Sequence, residues 1–185
     1  MLKQEHQSFL GKYALQDEHY SKTDAPFAHL GNPDLDVKSL VSEWNKYATG
    51  NDEMPRKMIL GHKNATAKLI HHVLKHFMHR LTPETIIAAV SNKNTNAESL
   101  GIALKHSNIS VQQKAAGHRN MTDDMLFDVL QFHDVPVRKI AAANKNTSKN
   151  TLSYALEDSN VDVIKAAINN PRYKEYSNAG KINVI

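Results

Sequence analysis

The segment HHVLKHFMHR places His72, His76 and His79 at i, i+4 and i+7. On a helix that spacing sets three imidazoles on one face, an arrangement open to a metal ion. No thiolate or carboxylate joins them nearby, and Val73, Leu74 and Phe77 account for the opposite, apolar stripe. The sequence therefore predicts no native metal site, with His72, His76 and His79 as the weak candidate. An exposed polar face is the expected reading.

Two sets of cations could do binding chemistry. Lys63, Lys93, Arg119 and Lys145 each directly follow an Asn or His at equal phase in a recurring pattern, so on a stacked chain they would form a ladder along one edge. Such a ladder, helped by Asn64, Asn94, Asn120 and Asn146, offers a nucleic-acid phosphate backbone its contacts. The second set is Arg56, Lys57, Lys114, Arg138, Lys139 and Lys165. Asp123, Asp124, Asp128, Asp134, Asp158 and Asp162 are interleaved with it, and mixed charge of this kind suits a protein partner. With one Trp, Trp44, at a core position, exposed rings for stacking single strands are not expected.

No G-x-S-x-G, G-x-x-x-x-G-K-[ST], H-E-x-x-H or D-x-[DN]-x-[DN]-G signature occurs. The expectation is a non-catalytic protein with no cofactor and no small-molecule substrate. There is no cysteine, hence no disulfide framework, thiolate ligand or cysteine nucleophile, and the cytoplasm is the default location. The N-terminus shows no apolar leader and no segment has the length and apolarity of a membrane span. The net charge of +4 is spread evenly, with 11 basic against 9 acidic residues over 1–80 and 12 against 10 over 81–185. Any affinity for nucleic acid must come from arrangement and not from bulk charge.

The elements that position these residues follow from a recurrence. Stepping back 26 residues from NKNTS at Asn144 gives HRNMT at His118 and NKNTN at Asn92, and stepping forward gives Asn170; upstream the spacing is 30, through HKNAT at His62 to Asn32. Leu152, Leu126, Leu100, Ile70 and Leu40 stand at one register, and Leu156, Leu130, Leu104, Leu74 and Trp44 stand four further on. An apolar i, i+4 pair marks the buried stripe of a helix. After a polar turn a shorter, Ala-rich helix follows, with Ala89, Ala115, Ala141 and Ala167 suited to close approach between neighbours. The Asn of each turn is expected to end a helix in left-handed backbone, and the Thr or Ser beyond it to cap the next, with TNAE at Thr95–Glu98 spaced as a capping box.

One such unit cannot bury its own apolar face, whereas stacked copies can, so the sequence predicts an all-α chain forming an α-solenoid of about six helix-turn-helix units. VRKIAAANKNTSKNTLSYALEDSNVDV, from Val137 to Val163, resembles the leucine-rich repeat variant family, a HEAT-like class. The resemblance covers residues 85–172, weakens over 25–84 and is absent over 1–24. It implies a right-handed solenoid acting as a binding scaffold, with the short helices on the concave face. The second cation set would then make that face basic. The iron–sulfur module of some relatives is excluded by the absence of cysteine. Some HEAT-like solenoids are DNA glycosylases with Trp, Asp and Arg in a cleft, which Trp44 at a core position does not match.

The domain reading is an N-terminal capping helix over 1–24, repeats over 25–172 with spacings of 30, 30 and then 26, and a C-terminal cap or tail over 173–185. The functional expectation is an adaptor that binds a protein partner. The alternatives are a nucleic-acid-binding solenoid using Lys63, Lys93, Arg119 and Lys145, and, by resemblance, a viral or mobile-element accessory factor docking on host machinery.

Overall fold

The computed structural model describes residues 27–178. The expected capping helix over 1–24 and residues 179–185 of the tail lie outside them. Among the described residues all regular structure is helical: α1 (Val37–Tyr47), α2 (Glu53–Gly61), α3 (Ala67–Phe77), α4 (Pro83–Ser91), α5 (Ala97–Leu104), α6 (Ile109–Ala116), α7 (Asp123–Phe132), α8 (Val135–Ala143), α9 (Lys149–Leu156), α10 (Val161–Ile168) and α11 (Pro171–Asn178). Short 3-10 turns occupy Ala28–Gly31 and Met78–Arg80. α11 runs on past position 172, where the sequence reading begins the tail. No helix among the described residues is long and apolar enough to cross a membrane.

Most of the helices start where a short polar side chain takes up an orphaned N–H of the first turn. Asp36 accepts from Ser39 N at 2.7 Å, Thr66 from Leu69 N, Thr122 from Met125 N and Ser148 from Thr151 N. The expected capping box at Thr95 is displaced by one residue. Asn96 is the cap, accepting from Ser99 N at 3.0 Å, while Thr95 is buried and donates to Ala89 O at 2.6 Å.

The helices form two files. Even-numbered helices touch in succession, α2 to α4, α6, α8 and α10; odd-numbered helices touch across α3–α5, α7–α9 and α9–α11. Every odd helix up to α9 also lies against the even helix that follows it, and all substantial contacts join helices at most two apart in order. Between the files run Leu40, Trp44, Ile70, Leu74, Leu100, Leu126, Leu130 and Leu152, all buried, with Trp44 edge-on to Phe77 at 5.8 Å. Ala89, Ala115, Ala141 and Ala167 have no exposed surface, which is how the even helices come close together.

Candidate partner interface

Even helices run toward an edge built of the turns at 62–66, 92–96, 118–122, 144–148 and 170, and the chemistry of that edge begins with its asparagines. The left-handed backbone expected of them is not found: Asn92 has φ −66° and ψ 130°, Asn144 φ −68° and ψ 133°, and Asn169, which closes α10, is right-handed. Among the described residues Phe27 is the one non-glycine with positive φ. The helix is closed instead by extended backbone at Asn92 and Asn144, whose N–H returns to Ala89 O and Ala141 O.

The side chains reach across to the turn before. Asn92 Nδ2 donates to Leu60 O at 2.9 Å and His62 O at 2.8 Å. Asn144 Nδ2 donates to Ala116 O at 2.8 Å and His118 O at 3.2 Å, and Asn170 Nδ2 to Ala142 O at 2.8 Å and Asn144 O at 2.9 Å. Two positions on, Asn64, Asn94, Asn120 and Asn146 do the same, each amide donating to two carbonyls of the preceding turn between 2.7 and 3.3 Å. The sequence reading makes these amides donors to phosphate, but both of their hydrogens are engaged by protein carbonyls.

Between the two clamping residues stand Lys63, Lys93, Arg119 and Lys145, all exposed. Because each turn is tied to its predecessor, the four cations are brought into file, and Arg119 Nη2 reaches Lys93 O at 3.3 Å. In Asn-Lys-Asn, then, the asparagines hold neighbouring turns together and the lysine faces solvent.

The second set divides in two. Arg56 is 3% exposed; its Nε donates to Tyr47 O at 2.8 Å and its Nη1 to Glu53 Oε1 at 2.7 Å. Arg138 donates through Nε and Nη2 to Asp158 at 2.8 and 3.0 Å and through Nη1 to His133 O. Burial alone would raise the Asp158 carboxyl, but the bonds from Arg138 and from Asn160 N outweigh it and hold Asp158 below the usual carboxylate range. Arg56 and Arg138 therefore act as ties within the fold, their guanidinium groups engaged by protein acceptors. Lys114, Lys139 and Lys165 are exposed, and Lys57 is half-buried.

Charge on the even helices is sorted by end. Their carboxylates are confined to the first turn, at Glu53, Glu84 and Asp162, while Lys57, Lys114, Lys139 and Lys165 stand further along. Acids at N-termini and cations toward C-termini both complement the helix dipole. As a result no carboxylate of these helices lies between their lysines and the edge cations.

A groove of about 460 Å³ opens in that basic region, lined by Lys93, Lys114 and Arg119 with Ser91, Gln113 and Ile140 among its walls. A second, of about 340 Å³, is lined by Arg138, Tyr154, Glu157 and Asp158, where the cation is already paired.

The histidine trio is dispersed. α3 ends at Phe77, so His79 falls in the 3-10 turn Met78–Arg80, off the face shared by His72 and His76, whose rings lie 4.8 Å apart. Among the described residues no three His, Cys, Asp or Glu side chains are grouped to hold a metal.

His replaces Asn at two of the turns, at His62 and at His118, and the second of these is His118. Asn120 N donates to its Nδ1 at 3.1 Å and its Nε2–H donates to Asn92 O at 3.1 Å, a pair of bonds that selects the neutral ring. Burial, then the Arg119 and Lys114 charges, push it below its ordinary value of 6.5, against the Asn92 carbonyl, which raises it. A group less basic in the fold than in the unfolded chain contributes stability that is present above about pH 6.5 and lost as pH falls through the lowered value. His118→Asn, which supplies the amide found at Asn92 and Asn144, is expected to flatten that acid-side loss. Thermal unfolding of both proteins from pH 7.5 to 5 measures it; parallel pH slopes would refute the assignment.

In comparisons with known proteins, no family model, no curated protein and no solved structure matches the chain.

Proposed function

We propose that the chain is a right-handed α-solenoid of the HEAT-like, leucine-rich repeat variant kind and works non-catalytically, as an adaptor that binds an anionic surface of a partner protein. The face we assign is that of the even helices, which forms the inner, concave side because its alanines allow the closer axial spacing. The observation that carries the reading is the sorting of charge on that face. Carboxylates are held at one end and Lys114, Lys139 and Lys165 stand exposed toward the other. Half-buried Ile87 and Ile140 lie among these lysines, and interleaved apolar and cationic residues suit a protein contact.

A second reading rests on the file of Lys63, Lys93, Arg119 and Lys145, which gives a phosphate backbone four exposed cations in order. The two separate in a pull-down from extract of the source cell, with and without nuclease. The wild type is compared with Lys114→Glu/Lys139→Glu/Lys165→Glu and with alanine at the four edge cations. One protein recovered after nuclease, and lost in the glutamate variant, is the expected result. Recovery of nucleic acid that the alanine variant loses would replace the adaptor with the second reading.

A further inference from the structure

Building on the adaptor reading, we infer that the groove between the turns at Lys93 and Arg119 is a specific site for one phosphorylated side chain of a partner protein.

Lys93 and Arg119 belong to the edge file, one cation per turn, but the third cation of the groove does not recur: the positions equivalent to Lys114 hold Met58, Ala88, Ile140 and Ala166. Three cations therefore line one groove at one place along the molecule. A surface for a continuous polyanion would call for the same grouping at each turn, since phosphates repeat along the strand. A single grouping suits a single dianion.

Its construction favours a phosphoryl group. No carboxylate is among the lining residues, so the charge is not internally cancelled. Arg119 commits Nη2 to the carbonyl of Lys93, which anchors the guanidinium beside the groove that Arg119 lines. A phosphoserine or phosphothreonine brings a charge of about −1.5 to −2 and three acceptor oxygens, a match for guanidinium and ammonium donors. Ser91 and Gln113 add neutral polar groups, and Ile140 supplies an apolar wall for the flanking peptide. The floor is Gly117, where a Cβ would meet Ile140 Cγ2 at 3.3 Å and Gln113 O at 3.4 Å, so a side chain there narrows the groove. The downward pressure of Lys114 and Arg119 on neighbouring His118 accords with a positive potential at this spot. No Phe, Tyr or Trp is among the lining residues, and the one ring there, His118, is buried, so a nucleic-acid base meets no exposed ring to stack on.

The probe is a neutral seven-residue peptide carrying one phosphoserine, with its unphosphorylated form as control and a twelve-nucleotide oligo-dT as the competing class. Each is titrated into the ¹⁵N-labelled full chain at near-physiological salt while backbone amide shifts are followed. The expected result is saturable binding of the phosphopeptide, with Kd below about 1 mM, and shifts centred on Lys93, Gly117, His118 and Arg119. Lys114→Met should weaken it by roughly ten-fold, as expected for loss of a charge-assisted contact. Gly117→Val, which alters no charge, should also weaken it, and Lys145→Ala, in the file but outside the groove, should change it by less than about two-fold. Equal binding of the unphosphorylated peptide, absence of saturation, or equal losses from Lys114→Met and Lys145→Ala would each overturn the proposal. So would tighter binding of oligo-dT with shifts spread from Lys63 to Lys145. The titration needs no cellular partner, so a failed pull-down beside a positive titration would refute the face assigned to the adaptor and leave the groove standing.

Discussion

Asn144→Asp should destabilise the fold more than Asn144→Ala does at neutral pH, although aspartate has the shape of asparagine and alanine leaves a gap. Alanine removes three hydrogen bonds: the two from Nδ2 to Ala116 O and His118 O, and the one that Oδ1 accepts from Asn146 N at 2.9 Å. Asn144 is buried, so the partners it abandons are not rehydrated without cost, and His118 O keeps a bond from Met121 N while Ala116 O is left to itself. Unsatisfied buried groups cost about 1–3 kcal/mol each, which puts alanine at about 3–4 kcal/mol.

Aspartate retains the acceptor for Asn146 N but turns a carboxylate toward two carbonyl oxygens that lie 2.8 and 3.2 Å from the present amide nitrogen. Two attractive contacts become repulsive and a charge is left buried without a cation, which adds to the loss. The same geometry raises the carboxyl of the substituted residue. Because protonation restores one O–H donor, stability returns as pH falls through the raised value, the reverse of His118. Urea unfolding of both variants at pH 7.5 and 5 checks the ranking and its reversal. Lys145→Ala, one residue away and exposed, should stay within about 0.5 kcal/mol of wild type. If Asn144→Asp matched Asn144→Ala at both pH values, the cross-turn clamp would not be what Asn144 contributes.

The sequence disclosed the spacing of these clamps without disclosing their use. Asn92 and Asn144 stand 52 residues apart, two steps of the same register, and spacing alone predicts that successive turns share an edge. What spacing does not contain is direction. An asparagine beside a helix end favours local backbone chemistry on general grounds, and that prior points to left-handed backbone. The chain adopts extended backbone at Asn92 and Asn144 instead, and from there both side-chain hydrogens reach the neighbouring turn. The apolar pairs are legible because a helix stripe is set by its own sequence: Leu40 with Trp44, Ile70 with Leu74 and Leu126 with Leu130 are buried where the i, i+4 pattern puts them. Capping is legible to within one residue. The cap falls at Asn96 and not at Thr95 because asparagine is an equally good acceptor and Thr95 finds a carbonyl in the preceding helix.

Register also separates the two kinds of cation that the sequence reading groups together. Arg56 and Arg138 occupy the position held elsewhere by Ile86 and Ile164, while Lys139 and Lys165 occupy that of Ile87 and Gln113. A column that accepts isoleucine with no exposed surface, as at Ile86, points inward. Gln112 stands in the same column and donates to His106 O at 2.7 Å, much as Arg138 reaches His133 O and Arg56 reaches Tyr47 O. Long polar side chains here tie the start of an even helix to the end of the odd one before it. In the adjacent column Lys139 and Lys165 face solvent. Arg138 and Lys139, neighbours in sequence, thus differ, one tied into the fold and one turned toward solvent.

Arg56 provides the sharper test of that division. Its guanidinium also approaches Arg80 O at 3.4 Å, and Glu53, which it holds through Oε1, accepts at Oε2 from Thr85 Oγ1 at 2.6 Å. One buried cation therefore joins the end of α1, the first turn of α2, the 3-10 turn at Met78–Arg80 and, through Glu53, the start of α4. Arg56→Ala leaves a partly buried carboxylate without its cation and Tyr47 O with only the longer bond from Gly50 N at 3.3 Å, a loss of about 3–5 kcal/mol, or about 10 °C in Tm for a chain of this size. Arg56→Ile, which copies the residue at Ile86, restores apolar volume but neither bond, and should recover only part of the loss. Glu53→Gln removes the stranded charge and keeps an acceptor for Thr85. In the Arg56→Ala background it should be less damaging than in wild type by about 1–2 kcal/mol, the coupling of a pair in direct contact. Lys139→Ala, in the outward column, should cost much less than Arg56→Ala. Additive losses at Arg56 and Glu53 would show that the arginine acts through packing alone, and a cost at Lys139 equal to that at Arg56 would erase the distinction between the two columns.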